Sequence, residues 1–103
     1  MSKNRDSHHL GAEKYKNIIA RCTERISLNP DDKFAYLERG DAHIRLGNPR
    51  EALANYKRAL DLNQSLAKAY YGMAAAHIML GAKRLAMVEI EKAIELGHRD
   101  SEK

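Results

Sequence analysis

Between Ala12 and Leu28 the apolar residues fall at Tyr15, Ile18, Ile19, Cys22 and Ile26. Steps of three and four put them on one face of a helix. Pro30 stops that helix, and Asp31 or Asp32 can cap the next. A second helix is predicted over 33–46, ended by Gly47, which reaches the left-handed conformation at little cost. Asn48 suits an N-cap and Pro49 a first helical turn, so a third helix starts at once and runs to about Leu62. Asn63-Gln64-Ser65 is a polar turn. A fourth helix follows over 66–80, closed by Gly81, and a fifth over 82–97, closed by Gly97. Links this short force successive helices to pack antiparallel. No strand is predicted. Residues 1–11, with His8-His9, and residues 101–103 read as polar terminal tails.

The same stretch occurs twice. Ala42-His43-Ile44-Arg45-Leu46-Gly47 returns as Ala76-His77-Ile78-Met79-Leu80-Gly81, with five of six positions identical at an offset of 34 residues. At that offset Ala35 meets Ala69, Tyr36 meets Tyr70, Ala52 meets Ala86, Ala59 meets Ala93 and Leu62 meets Leu96. Leu53 meets Met87 and Leu60 meets Ile94. Stepping back, Ile19 meets Leu53 and Ile26 meets Leu60, so the period reaches into the first helix.

The pattern resembles the tetratricopeptide repeat, a helix–turn–helix unit of about 34 residues. The resemblance covers residues 12–98. The first full unit offers Tyr36, Arg39-Gly40, His43, Ala52, Tyr56 and Ala59. The second offers Tyr70, Met73-Ala74, His77, Ala86, Ile90 and Ala93, and the opening half-unit offers Ile18, Cys22 and Pro30. Arg39 departs from the usual leucine, Arg25 from a small residue, and Gln64 and His98 from the closing proline. The resemblance implies an all-α fold of antiparallel helix hairpins, stacked as a short right-handed α-solenoid. It would hold five helices in about two and a half units: 12–32, 33–66 and 67–100. Ala52 and Ala86 would then sit where helices cross.

Composition narrows the function without naming it. The chain of 103 residues is 44% hydrophobic and 31% charged, which fits one folded domain. Its 18 basic and 14 acidic residues are spread along the chain, whereas nucleic-acid binders cluster positive charge, so no nucleic-acid partner is expected. No apolar run approaches a bilayer span, and the opening residues Met1–Asp6 lack an apolar segment. A cytoplasmic location without membrane insertion is the expectation. Cys22 is the single cysteine, lies within the apolar stripe, and is read as a core thiol.

No catalytic, cofactor or metal site is expected. The sequence holds no nucleophile elbow, phosphate loop, paired-carboxylate signature or cysteine cluster. His43 and His77 are equivalent in the repeat. Equivalent positions on stacked helices lie roughly 10 Å apart, too far to share a metal. They are read as packed side chains.

Binding is the remaining class. The resemblance implies that the first helix of each unit lines a concave surface for a peptide or protein partner. The second helix would contribute Phe34, Leu37, Glu38, Asp41, Ile44 and Arg45, and the fourth Lys68, Tyr71, Gly72, Ala75, Ile78 and Met79. Asp41 and Arg45 are spaced to pair with each other, and the apolar members could instead pack as core. Some relatives hold a terminal carboxylate with lysines, asparagines and an arginine. Here the matching positions carry Leu37, Glu38, Asp41 and Gly72, with only Lys68 kept, so that clamp is not expected. The alternative function is self-assembly. In the last helix Leu85, Met87, Val88, Ile94 and Leu96 form an apolar edge that no later unit in the sequence covers, which suggests a homodimer.

Overall fold

The structure describes the backbone of residues 2–102 and the side chains of residues 11–99. The computed structural model consists of five helices: α1 (Ser2–Leu28), α2 (Lys33–Arg45), α3 (Pro49–Leu62), α4 (Ala67–Met79) and α5 (Lys83–Glu102). Among the described residues there is no strand, and no helix is long and apolar enough to cross a membrane.

Local chemistry accounts for the inner boundaries. Asp32 caps α2: its Oδ1 accepts from the Ala35 amide at 3.0 Å. Gly47 and Gly81 close α2 and α4 at φ 76° and 82°, where an L side chain would be strained. Asn48 occupies the N-cap position of α3 but makes no capping bond. Its amide instead approaches the His43 ring.

The outer boundaries differ from expectation. α1 starts at Ser2 rather than Ala12, and α5 runs through Gly97 to Glu102. No proline lies before Pro30 or after Pro49 to stop either extension. A glycine inside a helix costs only about 1 kcal/mol relative to alanine, so Gly11 and Gly97 do not end one alone. The backbone of the expected tails is helical from Ser2 and as far as Glu102. The side chains of His8 and His9 lie outside the described residues.

The helices pack as successive hairpins. α2 lies against α3, α4 against α5, α1 against α2 and α3 against α4, with a lesser α2–α4 contact. Small residues make the approach close. Ala35 and Ala69, Ala52 and Ala86, and Ala59 and Ala93 are all buried, each pair 34 residues apart. The centre of the core is Tyr36, Leu37, Ala52, Tyr56, Ala59 and Ala69, with Leu60, Leu66 and Met73 packed on it.

Arg25 stands where the later units carry Ala59 and Ala93. Its guanidinium bridges Asp32 (Nε to Oδ2, 3.2 Å) and Glu38 (Nη1 to Oε2, 2.9 Å), fastening the end of α1 to α2. The amide of Ala35 and then the Arg25 charge hold the Asp32 carboxyl below its ordinary range.

Ala52 is fully enclosed at the helix crossing. Ala52→Leu is expected to lower unfolding stability by about 1–3 kcal/mol through overpacking, read from urea melts. An unchanged midpoint would mean that α2 and α3 can separate freely there.

Candidate functional site

The site begins with a ring. Tyr56 rises from α3 between α2 and α4 and is almost wholly buried. Two glycines make room for it. A Cβ on Gly40 would stand 2.8 Å from the Tyr56 ring, and one on Gly72 would stand 2.2 Å from it. The phenolic hydroxyl donates to Asp41 Oδ1 on α2. Burial, and then this bond to a carboxylate, push the phenol well above its ordinary pKa, so it stays protonated and remains a donor.

Above the hydroxyl, α2 and α4 enclose a concavity of about 650 Å³. Asp41, Ile44 and Arg45 line it from α2, and Lys68, Tyr71, Gly72 and Ala75 from α4, with Tyr56 below. Ile44, Tyr71 and Ala75 form an apolar bed. Asp41 is engaged by Tyr56 rather than by Arg45. Arg45 and Lys68 make no ion pair among the described residues, so two cations border an apolar trough.

Six of the expected groove residues therefore meet: Asp41, Ile44, Arg45, Lys68, Tyr71 and Ala75. Leu37 does not; it is buried in the core, because α4 covers the side of α2 that carries it. Glu38 is drawn to Arg25 and borders a smaller recess of about 170 Å³ with Ile18, Arg21 and Cys22. Phe34, Ile78 and Met79 are exposed but lie off the concavity. On the expected edge, Leu96 is a core residue, whereas Leu85, Met87, Val88 and Ile94 are exposed. Tyr56 had been placed inside the hairpin; its hydroxyl reaches the groove. The signal was available as a tyrosine flanked by glycines 16 residues to either side.

The other chemistry-bearing side chains are structural. Cys22 is buried with Sγ 3.8 Å from Glu38, and burial and then that carboxylate raise its pKa away from thiolate chemistry. Buried Asn55 accepts from Arg39 Nε at 2.7 Å, and its repeat equivalent Glu89 meets His77 Nδ1 at 2.7 Å. Both Arg39 and Arg58 lie over the Tyr36 ring, at 5.5 and 5.7 Å. Among the described residues, no three metal-ligating side chains come together.

These features define an α-helical repeat protein built from antiparallel hairpins around a shallow concave face. A family model described as TPR repeat matches residues 40–81. A solved structure of MamA (MamA MSR-1 C2) superposes with a TM-score of 0.79 at 25% identity, covering 90% of this chain and 52% of that one. A second MamA structure gives a TM-score of 0.81 at 20% identity over 87% of this chain and 53% of that one, a likeness of fold alone. The Meiotically up-regulated gene 93 protein of Schizosaccharomyces pombe is 35% identical over 52 residues, 50% of this chain and 14% of that protein. The chain is a tetratricopeptide-repeat protein. It spans about half the length of the MamA chains it matches and a much smaller part of the yeast protein.

Gly72→Ala is expected to cost about 1–3 kcal/mol, because the Tyr56 ring has no room to retreat. In a Tyr56→Leu background the same change should cost clearly less, and a double-mutant cycle reads the difference. Equal costs in both backgrounds would show that the ring is not what excludes the methyl group.

Burial, helped by the charge of Arg39 and opposed by Glu51, lowers the pKa of His43. The Asn48 amide nitrogen, 3.4 Å from His43 Nδ1, can only donate, so that contact needs Nδ1 unprotonated. The unfolded chain then takes up the His43 proton first as pH falls. Its contribution to stability is present above about pH 6.5 and is lost on acidification below that. Between about pH 7 and 5, His43→Gln should show a shallower loss of stability than the parent chain. Parallel stability–pH curves would sink this assignment.

Proposed function

We propose that the chain is a non-catalytic protein-interaction module whose α2–α4 concavity receives a short segment of a partner protein. One observation carries the reading: two unpaired cations, Arg45 and Lys68, border the apolar bed of Ile44, Tyr71 and Ala75. That arrangement favours a segment with an apolar side chain beside an Asp or Glu. The apolar group supplies most of the buried area, and the carboxylate fixes register and speeds encounter. The fixed Tyr56–Asp41 pair excludes a second carboxylate from the floor. The tetratricopeptide match and the MamA likeness support a scaffold role in general terms. The concavity itself is the ground for placing the partner here.

A random library of peptides of about 10–15 residues, selected on the immobilised chain, tests the reading. Enriched sequences are expected to pair Leu, Phe or Met with Asp or Glu and to lose affinity as salt rises. The double variant Arg45→Glu, Lys68→Glu should bind them at least about tenfold more weakly while melting at nearly the same temperature. Enriched peptides that bind the double variant as tightly as the parent would overturn the groove assignment.

A further inference from the structure

A second surface lies on the far side of α4 from the concavity. Its origin is visible in four residue pairs, each 34 positions apart. Leu37 is 6% exposed, but its equivalent Tyr71 is 49% exposed. Ile44 is half-buried, and its equivalent Ile78 is 54% exposed. Leu53 and Leu60 are half-buried, whereas Met87 and Ile94 are 61% and 57% exposed. The first member of each pair belongs to α2 or α3, which α4 contacts; the second belongs to α4 or α5. One repeat step therefore carries the face that α4 covers onto a face that is open.

The expected apolar edge thus resolves into separate parts. Met87 and Ile94 are seven residues apart, two helical turns, and share a stripe. Tyr71 and Ile78 on α4 repeat the same spacing. Leu85 and Val88, three apart, are the equivalents of Glu51 and Ala54 and lie on another flank. Leu96 is in the core. The open face is the Tyr71, Ile78, Met87, Ile94 quartet.

We propose that this face docks one amphipathic α-helix supplied by a different protein. The inner interface states the chemistry of the occupant. α4 meets the equivalent face with Leu66, Ala69 and Met73, where the alanine is fully buried and allows close approach. The docked helix would carry the same stripe: medium-sized apolar residues around alanine or glycine, at spacings of three and four.

Two observations assign it to another protein. α3 ends at Leu62, and the turn that follows lets α4 fold back. α5 passes the equivalent residue, Leu96, and stays helical to Glu102, so the chain makes no return at that point. A second copy of this chain has no spare helix of the required kind. Its α2 and α4 stripes are already spent in the core, with Ala35 and Ala69 fully buried.

The surface differs from the concavity, and separate variants test it. The probe is a helix-stapled peptide with the sequence of residues 64–81, which carries the α4 stripe. Binding to the intact chain is followed by fluorescence anisotropy. Saturable binding is expected, weakened at least tenfold by Ile94→Glu and, independently, by Ile78→Glu. Leu85→Glu and the Arg45→Glu, Lys68→Glu pair should leave it unchanged. These side chains are exposed, and thermal melts confirm that each variant folds. Absence of saturable binding, or binding that both Ile94→Glu and Ile78→Glu leave intact, would overturn the proposal. So would a dimer in sedimentation that Ile94→Glu dissociates, because a second copy would then own the face.

Discussion

The ring of Tyr56 is the part on which the other contacts of the middle of the chain depend. It fills the space where α2, α3 and α4 come together, and Gly40 and Gly72 exist in the sequence as room for it. A smaller side chain would leave a cavity, and a methyl group on either glycine would push a helix away. The same ring sets the floor of the concavity, because its hydroxyl fixes Asp41 in place. Packing and site are therefore one construction: the spacing of α2 and α4 that the ring imposes is also the width of the trough.

Much of the fold was legible because its determinants are local or periodic. Gly47, Pro49 and Gly81 act within a turn, and the paired alanines act through a fixed offset. The helix ends at Ser2 and Glu102 were not legible, since nothing near Gly11 or Gly97 compels either continuation or arrest. The site was legible only in outline. Leu37 and Tyr71 occupy the same register, yet one is core and the other surface. The difference lies in which helix comes next, which no property of either residue encodes. Tyr56 was missed because its role involves three helices at once.

The departures from the family pattern are compensated in pairs. Arg39 replaces a leucine, and Asn55 meets it across the hairpin. In the next unit Met73 takes the Arg39 position, and the buried Glu89 at the Asn55 position turns to His77. Each unit thus keeps one polar side chain inside and supplies its partner from the first helix. An unpaired buried polar group costs more than its bond returns, so such residues must change together. This explains why two units with the same backbone differ most at positions that touch.

The buried sulfur of Cys22 has a practical consequence. It is the single thiol of the chain, and it is sealed at the seam between α1 and α2, behind Glu38 and the Arg25 bridge. A thiol reagent can reach it only when α1 lifts or the whole chain unfolds. Labelling kinetics in native buffer therefore clock the detachment of that one helix, with no engineered probe. Comparing that rate with global unfolding would reveal whether the half-unit opens by itself or only together with the hairpins beside it.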